Sequence, residues 1–452
     1  MNLAAKLQQR ARAEQPVRIG LIGAGKFGTT FLTQALRTPG LHVMGVADLA
    51  PERARAALLR AGWSAERMAA ASFAAALAQG STYITDDAEA LIAAGGIEVV
   101  IDATGDAPAG IRHVRLCCEH RRHIVMVNVE ADALCGPLLA RWAEQAGVVY
   151  SLAYGDQPAL ICELVDWARA AGFEVVCAGK GTKYLPEYHT STPETVWPRY
   201  GITAEEAAAG GMNAKMFNSF IDGTKSAIEM AAVANATGLM PAPDGLLFPP
   251  CAVDDLPRVC RPAAVGGKLA HKGTVEVVSS LKRDGTPIER HLRWAVYVTF
   301  EASNDDVRHC FREYGLLTEE SGQYAAMYRP YHLIGLELGI SVASAALRHE
   351  PTGCPTGFRG DVVSIAKRPL AAGESLDGEG GCTVYGRLMP AGDSLRIGCL
   401  PIGLAHAVKM VAPVAAGAPV RWSDVEIDTA SEAVCRRREM ERLFRGEIAA
   451  GA

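Results

Sequence analysis

Val17-Arg18-Ile19-Gly20-Leu21-Ile22-Gly23-Ala24-Gly25-Lys26-Phe27-Gly28 decides the fold of the first part of this chain. A β-prone apolar run enters a glycine-x-glycine-x-x-glycine turn, and Phe27 to Arg37 continues with a helical pattern. Such a glycine pattern recurs by chance and is weak alone, but between a strand and a helix it has a mechanism. Gly23 permits the tight turn, Gly25 lets the backbone approach a pyrophosphate, and Gly28 lets the helix pack close to the strand. The free N–H groups of the first helical turn then favour a negative charge. The expected ligand is a dinucleotide, cradled by Gly23, Gly25, Lys26, Phe27 and Gly28.

Outward from this turn, short β-prone runs alternate with helical stretches. Leu41 to Ala47 reads as a second strand, and Pro51 to Ala61 as a helix opening on proline. Ile97 to Ile101, Ile124 to Val127, Val148 to Leu152 and Phe173 to Cys177 continue the series. Strands joined by crossover helices imply an α/β fold, here a Rossmann-type doubly wound parallel sheet. The rhythm changes after residue 180. A long helix is expected from Ala204 to Thr237, stopped by Gly238. Two strands, Gly273–Leu281 and Arg290–Phe300, flank the hairpin signal Asp284-Gly285, and Tyr331 to Leu347 reads as a helix. From Gly353 the chain is rich in Gly and Pro with short β-prone runs, then a charged helix near Ser431 to Arg445. The expected organisation is a dinucleotide-binding domain (1–155), an α+β catalytic, substrate and dimerisation domain (156–352), and a small β-rich module with a terminal helix (353–452).

The 452 residues carry a formal charge of -5, with both signs interspersed. That excludes the basic stripe of a nucleic-acid binder. No apolar run reaches the ~20 residues of a membrane span, and Met1 to Glu14 lacks a signal-peptide core. A cytoplasmic protein, with no nucleic-acid or membrane partner, is the expectation. The 12 cysteines form no CxxC pair and read as small buried hydrophobes.

Asp48 lies about 20 residues beyond Gly28, at the tip of the second strand, where a carboxylate accepts from both ribose hydroxyls and repels a 2′-phosphate. This favours NAD slightly. Arg53 and Arg55 keep NADP open, and Asp48 could instead cap the helix starting at Pro51. Thr104 and Gly105 close another strand and are expected beside the nicotinamide ribose. Glu130 ends the next strand, as a site carboxylate or a solvated cap. Asp156 has the same two readings.

Hydride transfer at a carbon bearing oxygen needs a group that handles the proton of that oxygen. Asp222, Lys225 and Glu229 fall on one face of the long middle helix, with Asn218 and Asn235 extending it roughly. Charges on so apolar a helix are costly to bury unless they pair or act; the alternative is a solvated face. Lys225 is the expected general acid/base, tuned by Asp222 and Glu229. Gly179-Lys180-Gly181-Thr182-Lys183 is expected as a loop after a strand, with Lys180 and Lys183 holding an anionic substrate group, or simply solvated. His189, Arg329 and His332 are further candidates. No spaced Cys/His set marks a metal site, although scattered carboxylates leave room for a loosely held Mg²⁺ or Mn²⁺.

Several of these segments together resemble a known family. Arg18–Gly25, Ile101–Gly105, Val127–Asp132, Phe220–Lys225, Glu229–Ala232, Ala234–Leu239 and Tyr328–Leu333 are similar to homoserine-dehydrogenase-like oxidoreductases with a C-terminal SAF domain. Within that group they resemble the 1-deoxy-D-xylulose-5-phosphate reductoisomerase-like proteins. The resemblance implies a Rossmann domain, an interrupting catalytic and dimerisation domain, and a homodimer or homotetramer. It also implies reduction or oxidation of a small polar substrate; the reductoisomerase-like members use NADPH and a divalent cation. On that analogy Lys180 and Lys183 hold a phosphate, while Lys225 and nearby carboxylates handle the proton. Asp48 departs from the pattern, since those members carry basic residues there. Two other readings stay open: a homoserine-type amino-acid dehydrogenase, and a non-catalytic NAD-binding sensor acting through the SAF-like module.

Overall fold

The computed structural model describes residues 2–450, with side chains through 446. It divides into two compact units. The first takes the chain up to Leu160 together with His332–Cys354; the second takes Ile161–Tyr331 and the chain from Pro355 onward.

The first unit is built on six strands: β1 (Val17–Ile22), β2 (Leu41–Ala47), β3 (Tyr83–Thr85), β4 (Val99–Asp102), β5 (His123–Met126) and β6 (Tyr150–Leu152). Their order is β3-β2-β1-β4-β5-β6, and every pair is parallel. This is the expected doubly wound Rossmann order, whose ligand crevice lies outside the strand C-termini where the order reverses. Helices cover both faces, so a central strand can be apolar throughout; Val17, Ile19 and Leu21 of β1 are fully buried. Phe31 and Leu32, from the helix Lys26–Ala35, pack onto them, as do Leu338, Val342 and Ala343 from the returning segment. That segment helps complete the first core. Its helix, Gly339–Arg348, begins later than the expected Tyr331. Ser341 stitches it to the end of β6: its hydroxyl accepts from Tyr154 N–H at 2.8 Å.

The second unit holds β7 (Glu174–Thr182), β8 (Thr274–Ser279), β9 (Val296–Glu301), β10 (Leu317–Thr318) and β11 (Tyr324–Arg329), ordered β10-β11-β9-β7-β8. Two expectations are corrected here. The strand at 173–177 does not extend the parallel sheet; as β7 it lies inside this second one. The strands flanking Asp284-Gly285 do not form a hairpin, because β7 sits between β8 and β9, parallel to one and antiparallel to the other. The Asp284 turn closes locally, its carboxylate accepting from Thr286 N–H at 2.9 Å.

The expected long helix breaks into Ala204–Ala209, Ala214–Ile221 and Thr224–Thr237. Gly223 adopts φ +89 at the last break, a left-handed conformation that glycine tolerates best. Five short strands follow: β12 (Gly360–Ala366), β13 (Ser375–Asp377), β14 (Val384–Pro390), β15 (His406–Met410) and β16 (Val425–Glu426). They form two small sheets, β12-β14 and β13-β15-β16, antiparallel throughout. The terminal helix Glu432–Ala450 is tied to β12 by Arg437, fully buried between Asp361 at 2.5 Å and Glu441 at 3.0 Å. Among the described residues, no helix is long and apolar enough to cross a membrane.

Candidate active site

In the first unit the three turn glycines have different physical reasons. Gly23 has φ +94, and a Cβ there would lie 2.7 Å from the Ala103 carbonyl. A Cβ at Gly28 would lie 2.4 Å from the Gly23 carbonyl. The fold itself requires both. Gly25 is different: it is exposed, has φ -68, and a Cβ on it would meet nothing within 4 Å. No protein atom occupies that space, so the backbone there is open. Lys26 is exposed beside it, while Phe27 packs against the core.

Asp48 brackets this turn. Its Oδ2 accepts from Ala24 N–H at 2.9 Å; its Oδ1 accepts from Ala50 N–H at 2.9 Å and from Arg53 at 2.6 Å. Burial pushes its carboxyl up, but the Ala50, Ala24 and Arg53 contacts outweigh burial and leave it below the ordinary aspartate value. The helix-capping alternative does not hold, since Ala50 is the N-cap residue and no side chain caps there.

Beyond β4, the Thr104 hydroxyl donates to Asp102 Oδ1 at 2.7 Å and accepts from the Asn128 amide at 3.1 Å. Asp102 Oδ2 also pairs with His113 at 2.9 Å. Thr104 therefore joins two strand ends. Gly105, with φ +68, has open space over its Cβ position. Asn128 caps the helix Val129–Ala146, accepting from Ala131 N–H, a role legible in the sequence as asparagine before a helix. Glu130 is half-buried in that first turn.

The unusual carboxylate is Asp132, which the sequence did not single out. It is fully buried. The Tyr150 hydroxyl donates to its Oδ1 at 2.7 Å, and Oδ2 has no hydrogen-bond partner among the described residues. Burial raises its pKa to about 7, against the smaller opposing effect of the Tyr150 bond.

In the second unit, Lys180 and Lys183 do not form a basic loop. Lys180 lies within β7, and its ammonium pairs with Glu229. The flanking glycines answer a packing need, since Cβ atoms at Gly179 and Gly181 would lie 1.8 Å from the Glu276 carbonyl and 1.9 Å from the Leu292 carbonyl. Lys183 donates to the Arg199 and Tyr200 carbonyls, satisfying the end of a short helix as basic side chains often do. Burial lowers its pKa, and Arg293 adds to the effect.

The shared face of Asp222, Lys225 and Glu229 is also corrected. Asp222 lies before the break at Gly223, so only Lys225 and Glu229 remain one turn apart on Thr224–Thr237. Lys225 is half-buried, and the helix is buried from Ser226 through Asn235. Asp222 lies just before that helix, its Oδ1 accepting from Thr224 N–H at 2.9 Å. Its other oxygen pairs with Lys367 at 2.7 Å. Lys367 also donates to the Ser191 and Gly381 carbonyls, at 2.6 and 2.7 Å. Asn218 donates to the Ser191 and Gly380 carbonyls. Asn235 accepts from Arg359 and Gly360 N–H at 2.7 and 2.9 Å, so both asparagines are spent on architecture.

His189 joins this network. Its Nδ1 meets the Asp222 carbonyl at 2.8 Å and its Nε2 meets the Tyr184 hydroxyl at 2.7 Å. The carbonyl can only accept, so Nδ1 carries the proton and Tyr184 donates to Nε2. Burial lowers the imidazole pKa, outweighing the Asp222 contacts, and the ring stacks on Tyr385. Another carboxylate missed in the sequence, Glu276, is buried and accepts from Leu247 and Phe248 N–H. Burial raises its pKa to about 8. Arg329 ends β11, and its guanidinium lies over Tyr331. Among the described residues, no group of three or more His, Cys, Asp or Glu is placed to hold a metal ion.

Residues 155–338 match the family model described as the catalytic domain of oxidoreductase DRL. No curated protein matches the chain. Among solved structures, the fold is similar to an oxidoreductase from Agrobacterium radiobacter in complex with NAD+, L-tartaric acid and magnesium. That match has 17% identity and a TM-score of 0.27, covering 37% of this chain and 44% of the other. It is also similar to 1-deoxy-D-xylulose 5-phosphate reductoisomerase from Zymomonas mobilis in complex with NADPH, at 17% identity and TM-score 0.34, covering 49% and 58%. A third is dipicolinate-bound dihydrodipicolinate reductase from Paenisporosarcina, at 14% identity and TM-score 0.34, covering 73% and 95%. The chain thus spans less than half the length of the first of these.

Proposed function

We propose that this chain is an NAD(P)-dependent oxidoreductase acting on a small hydroxylated metabolite that carries a phosphate or carboxylate. The observation that carries the reading is the turn Gly23–Gly28. Two of its glycines are required by the fold, and the third, exposed and with open space at its Cβ position, leaves room for a pyrophosphate to approach. A bound nicotinamide supplies or takes the hydride. The chain supplies the turn that holds the pyrophosphate, with Thr104 and Gly105 at the neighbouring strand end. Asp48, ionised at neutral pH, disfavours a 2′-phosphate, so NAD is preferred.

Lys225 is the general acid/base in this proposal. It stands one turn from Glu229, whose charge Lys180 neutralises. Lys180 and Lys183 are engaged within the protein, so the anionic character of the substrate rests on the family resemblance. The described residues form no metal cage, so no step is assigned to a cation. Titration of NADH and NADPH by nicotinamide fluorescence, followed by turnover assays on sugar phosphates, polyols, hydroxy acids and homoserine, tests the reading. Tight NADH binding and turnover abolished by Lys225→Ala are expected. Failure to bind either dinucleotide overturns the cofactor assignment; near-normal turnover of Lys225→Ala overturns the role given to Lys225.

A further inference from the structure

A concave site lies in the C-terminal part of the second unit. Trp422, Val425, Val434, Cys435, Arg438 and Arg442 contribute to the lining of a cavity of about 480 Å³, within the range of small-molecule sites. Its apolar part includes Val425 and Val434. Its polar part is mostly cationic: Arg438 and Arg442, one turn apart on the terminal helix, share the cavity with the exposed Glu426.

The two arginines are prepared differently. Arg438 is held in place, its guanidinium 3.6 Å from the Trp422 ring centroid and one amine 2.8 Å from Glu441. A cation fixed by an aromatic face and a carboxylate loses little freedom when it binds a ligand. Arg442 is exposed, and its Nε donates to the Arg438 carbonyl at 3.4 Å. Arg436, Arg437 and Arg438 each pair with a carboxylate; Arg442 has no acidic partner among the described residues. A planar, always charged fork with no acidic partner among the described residues, beside a fixed one, matches the geometry of an oxyanion.

We propose that this cavity binds a small ligand bearing a phosphate or carboxylate, with Arg442 as the primary contact and Arg438 as the preset second. Cys435 gives a readout independent of catalysis. It is exposed on the cavity wall, and Cys310, on the separate helix Asp305–Glu313, is the other exposed cysteine. Alkylation of both thiols by N-ethylmaleimide, followed by mass spectrometry, is measured with increasing inorganic phosphate or citrate. A ligand that covers Cys435 slows its alkylation by the factor 1 + [L]/Kd, roughly tenfold at about ten times Kd, and leaves Cys310 unchanged. Arg442→Gln is expected to abolish that protection, each protein being compared with its own Cys435 rate in buffer because loss of a nearby cation alters the thiolate fraction. If neither anion protects Cys435, if both thiols are slowed equally, or if protection survives in Arg442→Gln, the proposal is wrong.

Discussion

Gly25→Ala separates what the fold needs from what the cofactor needs. Gly25 is the N-cap of its helix, where alanine costs typically about 1 kcal/mol relative to a good cap and less relative to glycine. Alanine also restricts the unfolded chain, which returns about 0.4–1 kcal/mol. The new Cβ meets no protein atom within 4 Å, so no clash is added and the net change in stability is close to zero. Binding is another matter. The methyl occupies the approach of the pyrophosphate, and losing one hydrogen bond to a charged group costs about 1.5–3 kcal/mol. That corresponds to roughly a tenfold to hundredfold rise in Kd. Gly28→Ala is the contrasting control. Its Cβ would fall 2.4 Å from the Gly23 carbonyl, forcing a backbone shift that costs about 1–3 kcal/mol. NADH fluorescence titration and thermal unfolding of both variants decide the matter. A Gly25→Ala protein with wild-type Tm and a Kd within about twofold of wild type would refute the reasoning.

Two further outcomes follow from buried groups. Lys367→Met leaves the fully buried Asp222 carboxylate without its cation and should destabilise the protein by about 3–5 kcal/mol. Adding Asp222→Asn should restore a large part, and a denaturant titration showing less than about 1 kcal/mol for Lys367→Met would rule out a strong pairing. Asp132 keeps its proton more tightly when folded, with its pKa raised to about 7, so the native state binds the extra proton between the ordinary aspartate range and that value. The stability this contributes is fully present below the unfolded aspartate value. It falls as pH rises through the window, by at most about 1.4 kcal/mol for each pH step of one, and levels off above it. Melting of wild type and Asp132→Asn at pH 5 and 7.5 checks this: the variant should lose less Tm across the interval, and equal losses would remove Asp132 from the explanation.

What the residues alone disclosed was governed by local rules. The strand-turn-helix at Val17–Gly28 needs only neighbours in sequence: an apolar run, glycines where the backbone bends, and a helix behind them. The parallel sheet followed from the alternation of such units. The long middle helix failed because helical periodicity continues across Gly223, whereas the backbone turns left-handed there and the next helix starts with Gly223 as its N-cap. The apparent hairpin at Asp284-Gly285 failed because nothing between its strands shows that β7 will insert from a hundred residues earlier in the chain.

The candidate site divides along the same line. The sequence by itself determined the glycine turn, the carboxylate at Asp48 and the presence of Lys225 and Glu229 one helical turn apart. Only the tertiary structure decided which charges are already spent: Lys180 on Glu229, Asp222 on Lys367, Lys183 on helix-end carbonyls. It also decided that Asp132 is buried, with one oxygen lacking a partner among the described residues. The physical reason is that the cost of burying a charge depends on what surrounds it in three dimensions, and those partners come from segments that no sequence period connects.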